Sequence, residues 1–194
     1  MNYTEILDFW FGQLSPDDWF KKNEILDLKM VEKFIVIHAE ALASELFHWR
    51  DAPLGRLAEI ILIDQFSRNI YRGDPKAYTS DGMALALAQE AIRNNIQNNL
   101  EIRHKQFLYM PFMHSESKLI HEIAITLFSE PGLENSLTYE LMYKNIIDQF
   151  GRFPERNKIL GRTNTPEEEI YLSKLFSTET NTDRNSNLEE WRLH

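Results

Sequence analysis

Asp27-Leu28-Lys29-Met30-Val31-Glu32-Lys33-Phe34-Ile35-Val36-Ile37-His38-Ala39-Glu40-Ala41 carries the clearest periodic pattern in the chain. Met30, Phe34, Ile37 and Ala41 recur at helical intervals, and the turn near Leu46 carries the stripe on. That spacing puts one apolar face along a helix and excludes the strict alternation of a half-buried strand. The helix predicted from it runs over 27–48. The same signals spread outward and predict helices near 3–11, 16–21, 54–69, 80–96, 102–110, 115–129, 136–150 and 166–176. Ser15-Pro16-Asp17-Asp18 and Thr165-Pro166-Glu167-Glu168 are helix starts, with a hydroxyl cap, proline at the first position and acids in the first turn. The second is also a capping box. Met83-Ala84-Leu85-Ala86-Leu87-Ala88 is alanine-rich, which suits close helix–helix approach. Turn chemistry falls at Arg72-Gly73-Asp74-Pro75, Glu130-Pro131-Gly132 and Gly161-Arg162. No strand alternation survives over a useful length, so the expectation is an all-α protein. No low-complexity linker divides it. One domain is expected over 1–176, with a polar, mobile tail at 177–194 in which Leu188 and Trp191 dock locally.

Charge narrows the function classes. The net charge is −9, which argues against non-specific binding to nucleic acid or to an anionic membrane. The chain has no cysteine, which removes disulfides, thiolate metal sites, iron–sulfur clusters and a cysteine nucleophile. Met1-Asn2-Tyr3-Thr4-Glu5 lacks the basic start of a secretory leader. No apolar run approaches the roughly 18–20 residues of a membrane span. A cytoplasmic protein is expected, and its oligomeric state is left open. Glycine-rich phosphate loops and dinucleotide fingerprints are missing from the sequence, so no cofactor is expected.

One phrase is written twice. Asp64-Gln65-Phe66-Ser67-Arg68-Asn69 and Asp148-Gln149-Phe150-Gly151-Arg152-Phe153 each close an apolar run, and each is followed by a second arginine, Arg72 and Arg156. Asp and Arg four apart share a helix face and can pair. Two readings follow. Asp64 with Arg68, and Asp148 with Arg152, are ion pairs that tie helices together. Alternatively Arg68, Arg72, Arg152, Arg156 and Arg162, with Asn69 and Asn157 beside them, line an anion pocket, because guanidinium forks grip carboxylate and phosphate bidentately. The shared polarity predicts that the two phrases approach each other in space.

Tyr109-Met110-Pro111-Phe112-Met113-His114-Ser115-Glu116 is the second candidate. Pro111 is expected to end one helix, with His114 at the mouth of the next, Ser115 as its cap and Glu116 in its first turn. His114 and Glu116 then form a general base and its partner. His121 and Glu122 follow within two turns, at no recognised metal spacing, so no metal is expected. Phe9, Trp10, Phe11, Trp19 and Phe20 are expected to fill a core.

Taken together, Ile6-Leu7-Asp8-Phe9-Trp10-Phe11-Gly12, Trp19-Phe20, Leu62-Ile63-Asp64-Gln65-Phe66-Ser67-Arg68-Asn69, Phe107 through Glu116, Phe150-Gly151-Arg152-Phe153-Pro154, Arg156-Asn157 and Leu160-Gly161-Arg162 resemble the bacterial family known as domain of unknown function 924. The resemblance covers about residues 4–176. It implies a tetratricopeptide-repeat-like fold of stacked antiparallel helix pairs, and no activity. The chain departs from the family pattern at Tyr143 and Glu155, where histidine is common, and at Gln149, where a basic residue is. A multi-histidine mechanism is therefore not expected. The leading expectation is a protein that binds an anionic small molecule or a peptide carboxylate in an arginine-lined groove. The alternatives are an enzyme on an anionic small molecule, with His114 and Glu116 as acid and base, and motifs that only hold the fold.

Overall fold

The computed structural model describes residues 1–179, and among them every regular element is helical. The expected tail lies, from residue 180 on, outside the described residues. α1 (Tyr3–Leu7) starts at a capping box built by Asn2 and Glu5 and runs on into a wide, π-type turn at Asp8–Gln13. α2 (Pro16–Phe20) starts where expected. The Ser15 hydroxyl accepts from the Asp18 N–H, and the Asp18 carboxylate accepts from the Ser15 N–H. α3 (Glu24–Leu42) buries Met30, Phe34, Ile37 and Ala41, the stripe read from the sequence. It begins earlier than expected because Asn23 accepts from the Ile25 and Leu26 N–H groups. It also stops short of 48. Ser44 sits in the left-handed region at φ 60°, and the chain re-forms only as a tight turn at Phe47–Asp51.

α4 (Pro53–Ile61), a second π-type turn at Leu62–Phe66 and α5 (Ser67–Ile70) form the rod predicted at 54–69. This rod is the centre of the molecule. Leu57, Ile60, Ile61, Leu62, Ile63 and Phe66 are all fully buried. α1 packs on α4, α3 packs on the π-type turn and α5, and α6 (Asp81–Arg93) and α7 (Ile102–Met113) cover the rod's remaining sides. The alanine-rich reading of α6 holds, since Ala84, Ala88 and Ala91 are buried where α6 meets α4 and α7. Phe9 lies 4.7 Å from Phe34, and Trp10 lies 5.4 Å from Phe66 and 5.5 Å from Phe107. The aromatic N-terminal segment is core, as expected.

α8 (Lys118–Phe128), α9 (Glu134–Phe150) and α10 (Pro166–Glu179) complete the described chain, with α7, α8 and α9 packing in sequence order. Thr165 and Glu168 make the capping box predicted for α10.

Two expectations around His114 are corrected. Pro111 lies inside α7, which continues to Met113. A proline there forfeits one helical hydrogen bond and costs about 3 kcal/mol, but Phe107 through Met113 are all buried, and their burial holds the turn. His114 is therefore the C-cap of α7, not the start of the next helix, and α8 begins only at Lys118.

Candidate functional site

The π-type turn sets the direction of Asp64. Such a turn inserts an extra residue into the helical register and re-aims the side chains on it. Asp64 is 0% exposed, so its carboxylate needs partners. It takes Nδ1–H of His114 at 2.8 Å, the Gln65 carboxamide and Nη1 of Arg68 at 3.3 Å. Burial works against this carboxylate, but the Arg68 charge and the hydrogen bonds from His114 and Gln65 overcome it and hold its pKa well below the usual carboxylate range. Arg68 also donates to the Asp64 carbonyl at 2.7 Å and gives its fork to Asp81 at 3.0 and 3.0 Å. The expected Asp64–Arg68 tie is thus present and buried, and it extends to α6 through Asp81.

His114 is the open member of this cluster. Burial, reinforced by the Arg68 charge, lowers its pKa from the usual imidazole value even though Asp64 opposes this. The ring is then neutral near pH 7. Nδ1–H is spent on Asp64, and no hydrogen bond from the described residues reaches Nε2, the bare acceptor. His114 lines a cavity of about 320 Å³ that is also bounded by Tyr78, Asp81, Gly82, Glu116 and Arg156. Leu85 and Leu160 add an apolar wall, and Thr79 and Ser115 add hydroxyls.

Arg156 closes the cavity from the far end of the sequence. It stands on a tight turn at Pro154–Arg156 and donates from Nη1 to the His114 carbonyl at 3.1 Å and to Asp81 at 3.3 Å. Its guanidinium carbon lies 4.4 Å from the Phe153 ring and 4.8 Å from the Tyr78 ring. These two cation–π contacts help hold the group in place.

Glu116 is not the partner of His114. It accepts from Arg162 at 2.6 and 3.0 Å and from the Phe153 N–H at 2.8 Å. Burial raises its pKa, but the Arg162 hydrogen bond and the Phe153 N–H bring the net value below the usual one. It stays a carboxylate and is poorly suited to donate a proton. The pairing expected in the sequence is replaced by Asp64–His114.

The second phrase also departs from its expected pairing. Asp148 is exposed on α9 and binds Lys144, one turn back, not Arg152. Gly151, at φ 73°, ends α9 in the left-handed region, so Arg152 is no longer on the helix face that Asp148 occupies. Arg152 instead grips Glu168 of α10 at 2.7 and 2.8 Å, and Asn157 joins the same carboxylate at 3.1 Å. Arg72 and Asn69 both hold Asp27 of α3. The two segments meet at Asp81, which Arg68 of the first phrase and Arg156, just after the second, share. Arg68 and Arg72 line a separate cavity of about 210 Å³, which Tyr78 divides from the first.

Behind the cavity lies a second imidazole–carboxylate pair, His121 with Glu140 at 2.6 Å, both fully buried. Nε2–H of His121 donates to the Ser115 carbonyl at 2.8 Å, which pins the turn after His114. Among the described residues no group of three or more histidine, aspartate or glutamate side chains is arranged to hold a metal ion.

A family model described as a bacterial protein of unknown function, DUF924, matches residues 6–175. The chain belongs to this family. A solved structure described as a protein of unknown function, ATU0120, from Agrobacterium tumefaciens is 35% identical, with a TM-score of 0.84 over 89% of this chain and 97% of that one. No curated protein matches. The family covers the whole His114 cavity, and neither comparison brings an activity with it.

Tyr78, Asp81 and Gly82 escaped the sequence reading. Their signal was the helix start near residue 80, where an Asp-Gly pair follows Ser80. Nothing in that segment says that Arg68 and Arg156 will both arrive at its aspartate.

Proposed function

We propose that the His114 cavity binds a small anionic molecule, with Arg156 as its charged contact. The observation that carries this reading is that His114 and Arg156, each more than nine-tenths buried, line one cavity while His114 Nε2 has no protein partner. Of the five arginines, Arg156 lines this cavity, and its Asp81 contact at 3.3 Å is longer than the carboxylate contacts that hold Arg68, Arg72, Arg152 and Arg162, which narrows the expected five-arginine groove to Arg156. A volume near 320 Å³ suits a metabolite better than a peptide. A thermal-shift panel of small anions and their neutral analogues tests it. A ligand at 100 times its Kd stabilises by ~2.7 kcal/mol. The expected result is an anion that raises the melting temperature of the wild type and not of His114→Ala. Equal shifts in both proteins would move binding elsewhere.

The Asp64–His114 pair favours a second reading, catalysis on the bound molecule. A buried carboxylate that fixes Nδ1–H leaves Nε2 as a general base. On this reading Asp64→Asn, which permits the other tautomer, abolishes turnover while binding survives.

A further inference from the structure

The N-terminus of α6 opens into the same cavity. Ser80 occupies the N-cap, but at φ −102° and ψ 3° it lacks the extended backbone of a capping residue, and its hydroxyl makes no capping bond. The Met83 and Ala84 N–H groups go to the Ser80 carbonyl, and the Asp81 N–H goes to Tyr78. The Gly82 N–H has no acceptor among the described residues, and Gly82 is an exposed part of the cavity wall. A 13-residue helix thus presents its positive end there, with a free donor.

Two buried side chains face the same space. His114, 5% exposed, offers the unpartnered Nε2. Arg156, 8% exposed, is tied to the first residue of α6 through Asp81 and to the end of α7 through the His114 carbonyl. The surrounding charges balance. Asp64, Asp81 and Glu116 are matched by Arg68, Arg156 and Arg162. An entering anion therefore meets the helix end and its donors without excess negative charge.

We propose that this end of the cavity seats a phosphate group, inorganic or as a phosphate monoester. Gly82 N–H and Arg156 donate to its oxygens, and its remaining O–H donates to His114 Nε2. The proposal rests on the reading that the cavity binds an anion, and it names which one. His114 decides between oxyanions. A neutral ring with a bare Nε2 asks the ligand for a donor, and a carboxylate near neutrality has none. A phosphate monoester loses its second proton only at a pKa of about 6, close enough to neutrality for the site to retain it. Leu85 and Leu160 lie where the carbon part of an ester would pack.

Calorimetric titration of the full chain with inorganic phosphate, an alkyl phosphate and acetate, at matched ionic strength and pH 6.5, tests the seat. The key variant is Gly82→Asp. A Cβ at Gly82 meets nothing within 4 Å, and an acid in the first helical turn favours folding, so the variant keeps its structure. Asn98→Asp adds the same charge outside the site. The expected result is that phosphate or its ester binds the wild type and Asn98→Asp alike. It binds Gly82→Asp about tenfold more weakly or worse, the scale of a like charge within a few ångström. Acetate is weaker than phosphate in the wild type. Acetate binding as tight as phosphate, or phosphate binding indifferent to Gly82→Asp, overturns the proposal. If binding is lost in His114→Ala but kept in Gly82→Asp, the seat fails and the anion reading of the cavity stands. A wild type that binds none of these anions, nor any in the thermal-shift panel, brings both down.

Discussion

Asp64 and Asp148 hold the same place in a repeated phrase and live in opposite environments. Asp64 is buried among His114, Arg68 and Gln65, whereas Asp148 faces solvent beside Lys144. Removing one partner of a buried ion pair leaves the other charge unmatched and typically costs ~3–5 kcal/mol. Exposed pairs contribute little. Denaturant unfolding of Asp64→Ala should show a loss on that scale, and Asp148→Ala should unfold with the wild type. His38 supplies a pH test. The Ser67 hydroxyl donates to the Ile63 carbonyl, so it accepts from His38 Nε2–H at 2.9 Å, and Nδ1 is buried without a partner. Burial pulls the His38 pKa down to about 4. The folded state therefore binds fewer protons than the unfolded one between pH ~6.5 and ~4. His38's contribution is whole above about pH 6.5 and is lost as pH falls toward 4, up to about 3 kcal/mol. The stability of His38→Phe measured over that range should lack this limb. An acid limb as steep in the variant as in the wild type would assign it to other groups.

At the scale of elements, periodicity and capping were legible, and interruptions were not. The stripe on α3, the caps of α2 and α10 and the small-residue face of α6 all followed from side-chain spacing and hydrogen-bonding capacity. The π-type turn at Leu62–Phe66 has no local signature, because an unbroken apolar run reads as helix with or without an inserted residue. Pro111 read as a stop because local chemistry says so, and only burial on all sides reverses it. Gly151 carried the clue that Arg152 leaves α9, but a C-terminal glycine does not say which acid the arginine will find. Gly55 marks a contact that no pattern shows. Its backbone approaches so closely that a Cβ would collide with the Trp49 carbonyl. Gly55→Ala should therefore destabilise by about 1–3 kcal/mol or more, although alanine is the better helix former. A thermal melt at or above the wild-type value would mean that the Phe47–Asp51 turn yields freely.

At the scale of the whole molecule, the site is a junction. The π-type turn brings Asp64, α6 brings Asp81 and Gly82, the end of α7 brings His114, and the turn after α9 brings Arg156. The sequence showed most of these residue types as polar exceptions at helix ends. It did not show their partners, because each bond joins segments far apart in the chain. Among the described residues no helix is long and apolar enough to cross a membrane. The most direct test of the account is the tautomer of His114, read from its ring nitrogens by ¹⁵N NMR of histidine-labelled protein at pH 7, with and without inorganic phosphate. The expected result is a neutral ring protonated at Nδ1, and an Nε2 signal that moves when phosphate is added. A ring protonated at Nε2, or an Nε2 resonance indifferent to phosphate and to every anion that stabilises the protein, would contradict it.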